Sequence, residues 1–179
     1  MSIIAPGTEF GPVDVSLRDG RRVTLRAVCP QDREKLHAAI KRLSPESRYA
    51  RFMSPLHELS PQLLERAVHP ERETEVQLVA VWKGPPEMIV GGGRYSAGTG
   101  SKDCEFALAV IDEWQGLGLA RKLLEALMLT ARARGFEHME GFILSSNSRM
   151  LTLAGKLGFI EVSSPEGPTV RLLRRDLCD

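Results

Sequence analysis

Gln115-Gly116-Leu117-Gly118-Leu119-Ala120 is the stretch whose reading decides the fold. Before it, Cys104 to Ile111 reads as a strand. After it, Gly118 to Arg134 carries the clearest helical signal in the chain. Ala120, Leu123, Leu124, Leu127 and Ala131 form one apolar stripe at helical spacing, and Gly135 stands where a C-cap glycine belongs. Two glycines let the loop backbone approach a ligand closely. The helix that follows opens with amide N–H groups that have no partner inside the helix, and such an end binds anions, phosphate above all. Arg121 and Lys122 add positive charge beside it.

Two phosphate-binding designs fail on these residues. A P-loop ends in Gly-Lys-Ser/Thr, and here Gly118-Leu119-Ala120-Arg121 stands instead. A dinucleotide fingerprint needs its glycines directly after the strand and an acid at the end of the next strand. Here Asp112 to Gln115 intervene, the next strand ends in Leu144-Ser145-Ser146, and Glu140 lies inside that strand.

Outward from the loop, His138 to Leu144 reads as a strand and Asn147 to Leu157 as a helix stopped by Gly158. Phe159 to Val162 and Thr169 to Leu173 read as terminal strands. Upstream, Val76 to Trp82 and Met88 to Tyr95 alternate with period two around Lys83-Gly84-Pro85-Pro86. Ser44-Pro45-Glu46 and Ser60-Pro61 each start a helix, with a Ser cap and Pro in the first turn. Gln31 to Leu43 has helical spacing, and Val13 to Val28 reads as a hairpin turning at Asp19-Gly20. Met1 to Pro12 reads as a loose lead-in. The order is read as β-β-α-α-β-β-β-α-β-α-β-β, a mixed α/β chain.

The chain has 179 residues, 42% of them apolar and 26% charged, which fits one globular domain. A net charge of +1 speaks against a dedicated nucleic-acid binder. That balance is a cancellation of patches: Arg18 to Arg51 holds ten basic and four acidic residues, a net +6. Cys29, Cys104 and Cys178 are too few and scattered for a disulfide framework or a Cys-x-x-Cys site. His37, His57, His69 and His138 form no metalloprotease motif, so no metal is expected. No run approaches a membrane span and no signal peptide is read, so a cytoplasmic location is expected.

Gln-x-x-Gly-x-Ala after a strand, followed downstream by Asn147 and a helix ending Lys156-Leu157-Gly158-Phe159, resembles the acyl-CoA loop of the GNAT acetyltransferase superfamily. Leu43-Ser-Pro-Glu-Ser-Arg-Tyr-Ala-Arg-Phe52 and Glu105-Phe-Ala-Leu-Ala-Val110, with Trp114-Gln115-Gly116, look like the catalytic domain of Pat-type protein lysine acetyltransferases. The resemblance covers roughly residues 23–159 and implies a single domain. Its fold would be a central, mostly antiparallel mixed sheet, splayed at one parallel strand pair and flanked by helices. Residues 1–22 would form a lead-in and hairpin arm, and 23–179 the acyltransferase domain.

The same resemblance implies acetyl-CoA as cosubstrate, with Gln115, Gly116, Leu117, Gly118, Leu119, Ala120 and Arg121 around its pyrophosphate. Leu108, Ala109 and Val110 would meet the pantetheine arm, joined by Asn147, which residue type alone makes a helix cap. Arg121 reads equally as a solvated helix charge. Glu105 is the candidate general base, because an amine such as lysine, with a pKa of ~10.4, is almost wholly protonated at neutral pH. Asp112 and Glu113 read as solvent-facing, and Cys104 as an inert strand cysteine. Where relatives often carry a Tyr acid for the departing CoA thiolate, this chain has Ala154; Ser145, Ser146, water or an unprotonated departure remain as routes. The acceptor implied is an amine, a protein lysine by the Pat resemblance. A small-molecule amine or a non-catalytic acyl-CoA-binding module are the alternatives, and monomer or homodimer stays open.

Overall fold

A computed structural model describes residues 9 to 178. The chain opens with a hairpin, β1 (Val13–Ser16) and β2 (Arg22–Ala27). A 3-10 turn at Pro30–Asp32 leads into α1 (Arg33–Arg42), followed by α2 (Pro45–Phe52) and α3 (Pro61–Val68). Three helices therefore stand where the sequence order counted two. Leu43 is extended (φ −63, ψ 139), which ends α1 before Ser44 starts α2. The Ser44 and Ser60 hydroxyls accept from the Ser47 and Leu63 amides, at 3.1 and 3.2 Å, the caps their sequence context implied.

The remaining elements are β3 (Glu75–Trp82), β4 (Met88–Ser96), β5 (Asp103–Val110), α4 (Leu119–Ala133), β6 (His138–Leu144), α5 (Ser148–Lys156), β7 (Ile160–Val162) and β8 (Val170–Asp176). β8 runs three residues past its expected end. Arg174 and Arg175 conceal the alternation there, yet they pair in register with Glu140 and Met139. All eight strands form one sheet in the order β1-β2-β3-β4-β5-β6-β8-β7. Only β5 and β6 run parallel, joined through α4. The expected mixed, mostly antiparallel sheet is what the chain forms.

Helices cover both faces. α4 lies against β3, β4 and β5, while α1 meets β4 and α2 meets β5. Leu119, Leu123, Leu124, Leu127 and Ala131 of α4 are buried, each leucine contributing about 1.5–3 kcal/mol. Part of the expected lead-in, residues 1–8, lies outside the described residues. Beyond it, Phe10 is buried and its carbonyl accepts from Ala27 N at 3.1 Å, so this end of the segment is packed.

α5 ends in the motif Lys156-Leu157-Gly158-Phe159. Gly158 sits at φ +83, Gly158 N reaches Gly155 O, and Phe159 N reaches Ala154 O, both at 3.0 Å. This is a Schellman cap. It turns the chain so that Phe159 meets Phe106 of β5 edge-on, ring centroids 5.3 Å apart.

Candidate active site

β5 and β6 hold register for three pairs: Asp103 with His138, Cys104 with Met139, and Glu105 with Glu140. Beyond Glu105, β5 remains paired to β4, and beyond Glu140, β6 remains paired to β8. The two strands part between them. The edge of β5 that holds Leu108, Ala109 and Val110 thus lies open toward β6, where an extended ligand arm can lie.

The Gly116–Gly118 loop follows β5. Gly118 caps α4 in the left-handed region (φ +91, ψ 2) without a side-chain cap. Among the described residues, the amides of Gly116, Leu117, Gly118, Leu119, Ala120 and Arg121 donate to no protein acceptor; the first α4 bond is Lys122 N to Gly118 O. Unpartnered amides converging on a helix start fit a pyrophosphate. Gln115 serves differently: its side-chain amide donates to Val110 O at 3.0 Å and to the Ser47 hydroxyl at 3.1 Å. It ties the loop to β5 and α2. Arg121 is paired with Glu125, at 2.8 Å.

Two residues that sequence reasoning passed over meet this loop and the turn before it. Arg18, in the β1–β2 turn, donates its amide to Leu117 O at 3.1 Å and its guanidinium to Gly116 O at 3.4 Å. Arg21 places its guanidinium 3.8 Å over the Trp114 ring and donates to Glu113 O. The contacts span about a hundred positions, and no local pattern reveals them. Asp112 is exposed as expected but occupied: it accepts from Ser44 N at 2.9 Å and from the Ser47 hydroxyl at 3.2 Å, holding α2 to the end of β5.

Glu105 lies on β5, on the face that α2 packs against. Among the described residues its exposed carboxylate has no hydrogen bond or ion pair. Partial desolvation raises its pKa above the ordinary carboxylate value; Arg94 lowers it, Glu140 raises it and Arg51 lowers it. On the same face a cleft opens between the sheet and α1–α2, lined by Leu36, Ile40, Arg51, Phe52, Gln77 and Ala109. Gly91 and Gly92 form part of its wall; a Cβ on Gly92 would sit 3.1 Å from Leu78 O.

The splay, the amide cradle and the lone acid agree with the family comparison. The family model of the acetyltransferase (GNAT) domain matches residues 22–160. The chain belongs to the GNAT acetyltransferase family. It is 36% identical over 155 residues to the acetyltransferase PA5475 of Pseudomonas aeruginosa, covering 86% of this chain and 83% of that protein. The crystal structure of the GNAT domain of S. lividans PAT is similar to it with a TM-score of 0.85 and 30% identity, over 92% of this chain and 96% of that one. Acetyltransferase Pat of Mycolicibacterium smegmatis is 28% identical over 160 residues, but this chain spans only 46% of that protein's length. The chain is thus an N-acetyltransferase, and its reaction class is acetyl-CoA-dependent acetyl transfer.

Seen as a GNAT domain, the remaining site residues sort by what they touch. Asn147 caps α5, its side-chain oxygen accepting from Met150 N at 3.2 Å, while its NH2 group donates to no described residue. Cap and ligand contact are therefore compatible. Ala154 is fully buried and can donate nothing. The Ser145 hydroxyl donates to Pro168 O at 2.6 Å and accepts from Arg171 Nε at 3.3 Å. Cys104 is buried, and burial pushes its thiol up to about 12, the inert state expected of it. In the Pat-like segment, Arg48 donates to the carbonyls of Lys41 and Leu43, and Tyr49 is exposed. Leu43, Arg51 and Phe52 of the segment reach the cleft. Among the described residues no His/Cys/Asp/Glu group could hold a metal, and no helix is long and apolar enough to cross a membrane.

Proposed function

We propose that this domain passes the acetyl group of acetyl-CoA directly to the side-chain amine of a protein lysine, with Glu105 as general base. The observation that carries this reading is an unpaired carboxylate of raised pKa, on the cleft side of β5, where the parallel ladder ends. The loop amides from Gly116 to Arg121 would hold the pyrophosphate, and β5 from Leu108 to Val110 with Asn147 would hold the pantetheine arm. Residues 23–179 would form the catalytic domain.

The steps follow from the chemistry. Glu105, directly or through water, takes the proton of the acceptor ammonium. The freed nitrogen lone pair attacks the thioester carbonyl carbon. The C–N bond forms, the nitrogen gives up its second proton to water, and the C–S bond breaks with its electron pair leaving on the CoA sulfur. A positioned base of this kind contributes about 10²–10⁴ in rate. With Ala154 where a tyrosine would stand, the thiolate takes a proton from water, Ser145 or Ser146. The Pat-like segment and the similarity to the GNAT domain of S. lividans PAT favour a protein acceptor.

Glu105→Gln tests the reading. Acetyl-CoA at ~100 times its Kd should add ~2.7 kcal/mol of stability, roughly 5–10 °C in Tm, to wild type and variant alike. Acetyl transfer, followed by thiol release, should fall about 10²-fold or more in the variant. Unchanged turnover would remove Glu105 from the mechanism. An acetyl-lysine comparison of proteomes with and without the active protein identifies the acceptor; a null difference there points to a small-molecule amine.

A further inference from the structure

We propose that Arg51, backed by Arg94, forms an anion-recognising subsite in the acceptor cleft, so that the preferred acceptor carries a carboxylate close to its reactive amine. The inference rests on the reading of Glu105 as the base that meets that amine.

Arg51 differs from three arginines of the sheet. Arg94 is paired with Glu75 at 3.2 Å, and Arg174 with Glu140 and Asp103 at 2.6 and 3.3 Å. Arg26 is paired with Asp32 at 2.7 Å. The Arg51 guanidinium lines the cleft and lies 4.7 Å over the Phe52 ring. Among the described residues it forms no ion pair and donates no hydrogen bond. Burial, helped by Arg94 and opposed by Glu105, lowers its pKa to about 10.

A half-buried cation with its donors unspent is costly unless something pairs with it. A carboxylate matches the guanidinium fork with two charge-assisted hydrogen bonds. It would also relieve the repulsion between Arg51 and Arg94. Glu105 cannot fill this place and still work as a base for an incoming ammonium. The cleft thus offers a positive group for an acid, among apolar walls from Leu36, Ile40 and Phe52, while Glu105 on the same face of the sheet, close enough to act on the Arg51 charge, offers a negative group for an amine. Two sources can supply such an acid: an Asp or Glu next to the target lysine in a peptide, or the free carboxylate of a small amino acid.

Matched acceptors test this. One pair is a lysine peptide with a neighbouring Glu and the same peptide with Gln. The other is free lysine and lysine amide. Wild type should favour the acid-bearing member of one pair by about tenfold in kcat/KM, and the pair that responds identifies the source. Arg51→Leu should bring that ratio toward one, and Arg51→Lys should keep part of it. Retained acetyl-CoA stabilisation shows that a variant is folded. No preference in wild type overturns the proposal. So does an equal loss on both members in Arg51→Leu, or a shifted acid limb of the pH profile with the ratio unchanged. If no acceptor turns over, the reading of Glu105 falls by itself. The subsite is then judged by whether the acetylated acid-bearing product raises the Tm of wild type more than that of Arg51→Leu; equal shifts overturn it.

Discussion

Phe106 lays its ring in the space a side chain on Gly141 would need: a Cβ there would stand 2.3 Å from Phe106 Cε1. The β5–β6 ladder ends one residue earlier, at Glu105 and Glu140. Phe159, delivered by the Schellman cap of α5, meets the same ring. Glycine, two aromatic rings and a helix cap thus pack together directly beside the point where the strands part.

Gly141→Ala should disturb this packing. The ring is buried and held by Phe159, so the added methyl forces a shift of strand or ring, costing about 1–3 kcal/mol. A Tm lower by roughly 2–10 °C is expected. Because the shift occurs at the splay, acetyl-CoA titration should also show weaker binding. A melting curve and binding isotherm like those of wild type would show that Phe106 relaxes without moving β5.

The pH profile of kcat/KM should carry an acid limb above 4.5, the ordinary glutamate value. Glu105 works deprotonated, so activity falls as pH drops through its raised pKa. Glu140→Gln removes a like charge and should move the limb down; Arg94→Leu removes a favourable charge and should move it up. The linked effect on stability has the opposite sense to that of a salt-bridged acid. In the window between the unfolded and the raised folded value the native state binds more protons, so stability decreases as pH rises through it. Rate measurements on the three proteins, at pH values where each stays folded, check the order of the limbs.

Arg18→Ala should weaken acetyl-CoA binding without touching the chemical step. Its guanidinium holds the Gly116 carbonyl, a contact the substitution removes while the main-chain bond to Leu117 O stays, so the glycine loop is left less fixed. A loss of about 1 kcal/mol, roughly fivefold in Kd, is expected. The kcat at saturating acetyl-CoA should hold. A fall in kcat with unchanged Kd would separate Arg18 from the loop.

Elements with a strong local signal were legible. The α4 stripe, the two Ser-Pro helix starts and the His138–Leu144 strand follow from side-chain periodicity and capping chemistry, which act over a few residues. Where charges interrupt the pattern, as at Arg174 and Arg175 in β8, the ladder outlasts its sequence signal because main-chain pairing with β6 carries it. The position of Glu105 beside its open strand edge was visible as a face of β5. Its charge surroundings were not, because Arg51, Arg94 and Glu140 come from three other elements.

By itself the sequence determined the family, the glycine loop before α4, the candidate base and the missing tyrosine at Ala154, since each is written in adjacent residues. Only the tertiary structure decided that Gln115 ties the loop to β5 and α2, that Arg18 reaches that loop and Arg21 the turn before it from the first hairpin, and that the Ser145 hydroxyl donates to Pro168 O. It also left Arg51 as the cleft's unpaired cation among the described residues. The division has one physical reason: periodicity and capping are local, whereas hydrogen-bond partners and charge environments are set by which distant segments the sheet brings together.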